Sequence, residues 1–348
     1  MPHHKYATKY CIPTVVEHED FDATIDATAL EEAMKGPGTD EDAITEILAY
    51  RTVAQRLQIA DVYKELFDKD LVQRLKGDLT GHMEDVILAM MTPISQLYAK
   101  ELHKAISGLG TDEDAIVEVL MSLSNCGVLE VSTEYENMYG NSLEHDLKHD
   151  SSGEFRNLLV RLCSAIRDES EAVDEELVRN DALSLASAEV FWPQGIQGET
   201  LTCSSNRPAA GASEWATEES VFASILAARS FPHLRLVFRV FRSVTGRDIE
   251  AVIDQHFSGK LRKGFLSIVR IVRKRAAYFA RRLYESMKGI GTDDHTLIRI
   301  IVSRCEIDLG DIKQEFLAQY GQTLEKWITG DTLGHYRKTL LALVAYEH

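Results

Sequence analysis

An all-α fold built from four repeats of five helices each is what this sequence predicts, on three observations. One phrase recurs: Gly36-Pro37-Gly38-Thr39-Asp40 returns as Gly108-Leu109-Gly110-Thr111-Asp112 and as Gly289-Ile290-Gly291-Thr292-Asp293. In each copy an aspartate lies 39 positions after the threonine, with a glycine three residues further on: Asp78 and Gly81, Asp150 and Gly153, Asp331 and Gly334. An altered copy starts at Ala216-Thr217-Glu218 and carries His256 and Gly259 at the same spacings. Between these landmarks the apolar residues follow the helical period, and no stretch shows the alternation of a half-buried strand.

The first unit can be read element by element. Phe21 to Lys35 is a helical stretch that stops at Gly36-Pro37-Gly38. Thr39 followed by Asp40, Glu41 and Asp42 reads as a helix start, with a capping threonine and acids in the first turn. Ala43, Ile44, Ile47 and Leu48 form the stripe of that second helix. A third helix begins near Val53 and buries Leu57, Ala60, Tyr63, Leu66 and Phe67. Asp70 caps a short fourth helix with Leu71, Val72 and Leu75 inward. The loop Gly77-Asp78-Leu79-Thr80-Gly81 leads to a fifth, carrying Met83, Val86, Ile87 and Met90.

The marker threonines are separated by 72, 106 and 75 residues, so the unit is a small helical bundle rather than a helix pair. The long interval has a local cause. Asp174 to Phe191 reads as the first helix of the third unit, ended by Trp192-Pro193, and residues 194–213 then form a Gly-, Pro- and Ser-containing loop. Loops of that length are functional or disordered. The expected organisation is an N-terminal tail (1–20) and units at 21–92 and 93–164, followed by a linker (165–175). A third unit occupies 176–270 with its insertion near 194–213, and a fourth 274–345.

Composition bounds the function. Hydrophobic residues make up 45% and charged residues 27%, an ordinary soluble balance. No apolar run approaches the ~20 residues of a membrane span, and the Met1-Pro2-His3-His4-Lys5-Tyr6 start lacks a secretory core. Five cysteines without CxxC spacing read as reduced thiols of a cytoplasmic protein. The net charge of −17 argues against nucleic acid as a partner. It is unevenly spread: Trp215 to Leu283 holds fourteen Lys or Arg against five Asp or Glu, leaving that segment at +9 and the remainder at −26. No GxSxG, HExxH or P-loop is present, and the twelve histidines show no ligand spacing, so no enzyme is expected.

Glycines between helices can simply end one and turn the chain. That does not explain an aspartate at a fixed distance in three copies. A calcium ion does, because it takes about 6–8 hard oxygen ligands, backbone carbonyls and carboxylates among them. Two glycines at positive φ let successive carbonyls converge, and the distant aspartate adds a bidentate carboxylate. One carboxylate with neutral carbonyls leaves the ion positive and open to an external phosphate.

On these residues, Met34-Lys35-Gly36-Pro37-Gly38-Thr39 with Asp78 and its repeats, the chain resembles the annexin family from about Phe21 to Tyr346. Its long third unit is most similar to annexins of invertebrates such as flatworms. The resemblance implies four five-helix bundles in a slightly curved disc, and reversible calcium-dependent binding to anionic phospholipid. Carried over by position, the metal ligands are Met34, Gly36, Gly38 and Asp78; Ile106, Gly108, Gly110 and Asp150; and Met287, Gly289, Gly291 and Asp331. Secondary sites would involve Thr39 with Glu41, Thr111 with Glu113, and Thr292 with Asp294.

The third unit has Ala216 for the second glycine and His256 for the carboxylate, so it is expected to lack the standard site. Trp215 matches a tryptophan that some annexins place at the membrane interface, with buried packing the alternative. Lys260, Arg262 and Lys263 are expected to contact lipid headgroups there, whereas Arg235, Arg239 and Arg242 read as a solvated helix face. A −17 protein is repelled by an anionic bilayer within the ~8–10 Å screening length of physiological salt, so binding should require calcium. The competing reading is a helical protein-interaction scaffold with incidental calcium, and the tail or the third-unit loop could recruit a protein partner. The resemblance places the protein in the cytoplasm and peripherally at membranes when calcium rises, with unconventional export or cell-surface association also open. It leaves the oligomeric state and the cellular role, in membrane organisation, repair or traffic, unassigned.

Overall fold

The computed structural model describes residues 11–108, 110–190 and 218–345, and these contain helices and turns with no strand. The first five helices are α1 (Ala23–Ala33), α2 (Glu41–Leu48), α3 (Val53–Phe67), α4 (Leu71–Asp78) and α5 (Gly81–Met90). The next five are α6 (Ile94–Ser107), α7 (Glu113–Ser122), α8 (Asn125–Tyr139), α9 (Leu143–Asp150) and α10 (Gly153–Cys163). Then come α11 (Glu175–Val190), α12 (Glu218–Ala228), α13 (Phe231–Thr245), α14 (Ile249–His256) and α15 (Gly259–Met287). The last are α16 (Asp294–Arg304), α17 (Leu309–Tyr320), α18 (Leu324–Asp331) and α19 (Gly334–Val344). α15 is two helices run together, because Lys274 at φ −161°, ψ 95° breaks the helical path. With that break the described helices form four sets of five.

Three local details differ from the sequence reading, the first being that Leu66, expected on the buried side of α3, is 49% exposed while Ile59 and Tyr63 face the core. Gly77 and Asp78 are not loop residues; they complete the last turn of α4, and Asp150 and Asp331 likewise end α9 and α18. Thr39 is not the cap of α2. Asp40 is, its carboxylate accepting from Ala43 N at 3.0 Å. Asp112 and Asp293 act alike on Ala115 N and Thr296 N. A carboxylate is the stronger acceptor at a helix N-terminus, and this frees the threonine for another bond. Elsewhere the expected signals hold: Asp70 caps α4 through Gln73 N at 2.9 Å, and Thr52 with Gln55 forms a capping box at Val53.

The chain divides into two compact units, Met1–Gly110 with Ser122–Ser142 and Lys274–His348, and Thr111–Met121 with Leu143–Arg273. In the first, α19 packs on α2 and α5, and α16 on α5 and α19, so the first and last repeats share a core. Ile44, Leu48, Ile87, Ile301 and Leu340 are fully buried there, each contributing roughly 1.5–3 kcal/mol. Among its buried polar contacts, the Thr45 and Thr339 hydroxyls pair at 2.8 Å.

In the second unit α11 packs on α12 and α13, and α10 on α9 and α12, around Leu158, Leu185, Leu226, Phe241 and Phe265. The repeats reuse one half-buried device. Arg51 grips Asp26 with Nε and an amino nitrogen at 2.7 and 3.1 Å, and Arg229 grips Asp181 at the same two distances.

The described part of the tail, from Cys11, is strapped to the first unit by backbone bonds. Thr14 N and Val15 N donate to Cys305 O at 2.7 and 3.0 Å, and Gly310 N donates to Ile12 O at 2.8 Å. The Thr14 hydroxyl donates to Leu343 O at 2.6 Å.

Candidate metal centres

The 39-residue spacing is realised as a hydrogen bond in all three regular copies. Thr292 Oγ1 donates to Asp331 Oδ2 at 2.6 Å, Thr111 Oγ1 to Asp150 Oδ2 at 2.7 Å, and Thr39 Oγ1 to the Asp78 carbonyl at 3.4 Å. In the first and fourth copies the threonine thus anchors the glycine turn to the end of a distant helix. A second bond closes the turn itself, from Asp40 N to Ala33 O at 2.9 Å and from Asp293 N to Ser286 O at 2.7 Å.

Glycine is required inside the closed turn. Gly36 and Gly38 sit at φ +95° and +105°, and Gly289 and Gly291 at +113° and +86°, where L-residues are strained. The second copy is built differently: Gly110 is at +91° but Gly108 is at −70°. Its glycine serves space instead, since a Cβ there would meet the Lys104 carbonyl oxygen at 3.0 Å. Met34, Ile106 and Met287 are buried, whereas the turn glycines of the first and fourth copies are exposed.

The placement of Asp78, Asp150 and Asp331 is electrostatically costly. Each ends a helix, where the macrodipole presents partial negative charge and disfavours an anion by roughly 0.3–1 kcal/mol. A cation at that point reverses the sign. Asp78 Oδ2 is moreover buried and accepts no hydrogen bond, an expensive condition for a carboxylate oxygen. A helix-end carboxylate oxygen with an ion pair but no hydrogen bond fits a hard cation. Among the described residues no three Asp, Glu, His or Cys side chains cluster as a metal site. His256 takes the carboxylate position at the end of α14, and it offers no hard bidentate oxygen.

Charged neighbours that periodicity did not reveal surround these positions. In the first copy an amino nitrogen of Arg74 lies 3.2 Å from Asp78 Oδ2 and donates to the Met34 carbonyl. A signal for it existed, because Arg74 precedes Asp78 by four residues and so shares its helix face. Within the first unit a hollow of about 460 Å³ is lined by Glu41, Asp78, Asp294 and Asp331 together with His82 and His335. His82 Nε2 is 3.2 Å from Asp294, and His335 Nδ1 is 2.7 Å from Asp42. Lys338 and His335 hold the Asp42 carboxyl below its ordinary range. Burial and the nearby Asp294 push the Tyr336 phenol upward.

Two of the three secondary-site acids are already engaged: Asp294 by His82, and Glu113 by Lys260 at 3.0 Å and Lys263 at 3.8 Å. Lys260 also donates to Thr111 Oγ1 at 2.9 Å, and Arg262 pairs with Asp254 at 2.6 Å. Thr39, Thr111 and Thr292 spend their hydroxyls on the helix-end aspartates. Trp215, Ala216 and the 194–213 insertion lie outside the described residues.

In the fourth copy two apolar residues are exposed at the loop tips. Ile290, between Gly289 and Gly291, is fully exposed, and Leu333 beside Asp331 is 77% exposed. No described helix is long and apolar enough to cross a membrane.

Comparison with known proteins identifies the family and the fold. The family model described as Annexin matches residues 25–90, 98–162, 209–268 and 278–343. Annexin A4 of Sus scrofa is 42% identical over 330 residues, covering 95% of this chain and 97% of that protein. Among solved structures, annexin III superposes with a TM-score of 0.88 at 38% identity, covering 98% of this chain and 100% of the other. Calcium-bound annexin (Sm)1 superposes at 0.81 and 28% identity, covering 97% and 94%. With the repeated turn, its helix-end carboxylate and the family model in register, the chain belongs to the annexin family, whose general property is calcium-dependent binding to phospholipid.

Proposed function

We propose that this protein binds anionic phospholipid membranes reversibly, with calcium ions held at the first, second and fourth repeats bridging it to lipid phosphate. The observation that carries the reading is the threonine bond to a helix-end aspartate in each regular copy. Met34, Gly36 and Gly38 with Asp78 would hold one ion through three carbonyls and a carboxylate, and Met287, Gly289 and Gly291 with Asp331 another. Ile106, Gly108, Gly110 and Asp150 carry the same sequence pattern. The third repeat, with His256, would lack the standard site. When bound, the ion supplies positive charge and open positions for a phosphate oxygen; the chain supplies the fixed oxygens and the apolar tips.

Ile290 and Leu333 would enter the headgroup boundary beside the bridged phosphates, each adding apolar burial. Lys260, Arg262 and Lys263 would assist in the third repeat by exchanging Glu113 and Asp254 for headgroup phosphate. Such exposed pairs are worth at most about 1 kcal/mol, and both lysines are about half exposed, at 49% and 54%. This action fits a protein that is cytoplasmic at resting calcium and peripheral on membranes when calcium rises, serving membrane organisation, repair or traffic. Pelleting with phosphatidylserine vesicles tests it: full binding at millimolar calcium and release by chelator is expected. No pelleting under those conditions would favour a protein-interaction scaffold instead.

A further inference from the structure

One of the three regular sites contains a cation of its own. We propose that Arg74 is an internal competitor for calcium at the first repeat, so that this site binds the ion more weakly than its sequence pattern alone indicates and releases Arg74 when it fills. This rests on the calcium reading of the repeat.

Arg74 touches two of the oxygens assigned to the ion. Its amino nitrogen donates to the Met34 carbonyl and lies 3.2 Å from Asp78 Oδ2. That pairing is imperfect: Asp78 Oδ2 and Arg74 Nε are both buried without a hydrogen bond. A guanidinium therefore neutralises the helix-end carboxylate without satisfying it, and a hard divalent ion that takes both carboxylate oxygens satisfies it better. Arg74 is 37% exposed, so it can leave without crossing a packed core. It also has somewhere to go. It helps to hold the Glu31 carboxyl below its ordinary range, after the larger effects of Lys69 and Tyr63, so that acid is within electrostatic reach once calcium claims Asp78.

The arrangement is confined to one repeat. Four residues before the helix-end side chain, the other repeats carry Asp146, Val252 and Trp327. Asp146 adds negative charge near its site. Trp327 packs against Tyr284 and Phe316 at centroid distances of 5.0 and 6.3 Å. Among the described contacts only the first repeat has a cation on its helix-end carboxylate, since Lys260 in the second touches Thr111 and Glu113 instead. Exchanging that cation delays filling to higher calcium and sets a later stage of membrane attachment.

The test uses the full chain with Asp150→Ala and Asp331→Ala, so that the first site reports alone, titrated with calcium chloride by isothermal calorimetry. Arg74→Gln is expected to tighten calcium binding roughly tenfold, the scale of losing a charge-assisted hydrogen bond and a partly exposed ion pair. Arg74→Lys, which keeps the charge and loses the fork, is expected to lie between. A second readout needs no metal: Arg74→Gln lowers the melting temperature in chelator, and the deficit disappears at saturating calcium. Unchanged or weaker calcium binding in Arg74→Gln, with Asp78→Ala still abolishing binding, overturns the competition alone. Absence of binding in every variant, Arg74 present or not, overturns the calcium reading of the repeat as well.

Discussion

Gly38→Ala isolates the backbone contribution of the turn. Gly38 sits at φ +105° and no atom lies within 4 Å of where a Cβ would be built, so the substitution adds no clash and its whole cost is conformational. Holding an L-residue in such a region costs about 1–3 kcal/mol, or roughly a 5- to 150-fold change in an equilibrium. The turn is tied by the Arg74 bond to the Met34 carbonyl, by Thr39 to Asp78 O at 3.4 Å and by Asp40 N to Ala33 O at 2.9 Å. So few bonds let it relax without calcium, and the strain returns when carbonyls must converge on the ion. Calorimetric titration of the Asp150→Ala, Asp331→Ala background should therefore show a 5- to 150-fold weaker first site, with little change in the calcium-free melting temperature. Gly77→Ala is the matched control: it lies in α4, one residue from Asp78, also with nothing within 4 Å. It should stabilise the fold by about 0.5–1 kcal/mol and leave calcium affinity unchanged. Equal affinities in wild type and Gly38→Ala, or an equal loss in Gly77→Ala, would refute the reasoning.

Three further outcomes are expected. Asp308 is 3% exposed and accepts from Arg304 Nε at 2.7 Å and Arg275 Nε at 3.2 Å. Burial alone would raise its carboxyl, but the two arginines outweigh burial and hold it below the ordinary value. A depressed carboxyl stabilises the fold above the unfolded value near 3.8, and that contribution is lost as pH falls further. Asp308→Asn should cost about 3–5 kcal/mol in urea unfolding at pH 7 and reduce the loss of stability on acidification below pH ~4; parallel acid profiles would contradict this. Gly310→Ala places a Cβ 2.5 Å from Ile12 Cγ2 and 2.8 Å from Ile12 O. It should cost about 1–3 kcal/mol and speed limited proteolysis near residues 11–19, whereas an unchanged cleavage rate would contradict the strap. Burial pushes the Cys305 thiol up to about 12 while Cys126 is exposed, so mass mapping after brief alkylation should find label on Cys126 and none on Cys305 until the protein unfolds.

Much of this was legible in the sequence for a physical reason: helix starts are local. Val53 and Asp70 mark their helices because the caps lie within three residues of the groups they satisfy. The third unit's first helix was expected at 174–191 and runs from Glu175 to Val190. The fixed spacing from threonine to aspartate named the contact that builds each turn, but not which atoms make it. Thr39 and Asp40 both suit a cap, and only the proximity of Asp78 decides that the threonine is used elsewhere. Gly77 and Asp78 read as loop because a glycine beside an aspartate resembles a turn, yet the helix carries them to its end. The ion pairs of Lys260 and Lys263 with Glu113, and of His82 with Asp294, join residues far apart in the chain, beyond what periodicity reports.

The central claim is that the helix-end aspartates convert calcium into membrane attachment. Its most direct measurement is the calcium concentration for half-maximal binding to phosphatidylserine vesicles, in wild type, in Asp78→Ala, Asp150→Ala and Asp331→Ala singly and combined, and in His256→Ala. The account predicts a stepwise rise across the single substitutions, no binding in the triple variant and no change in His256→Ala. A triple variant that pellets at the calcium concentration of wild type would contradict it.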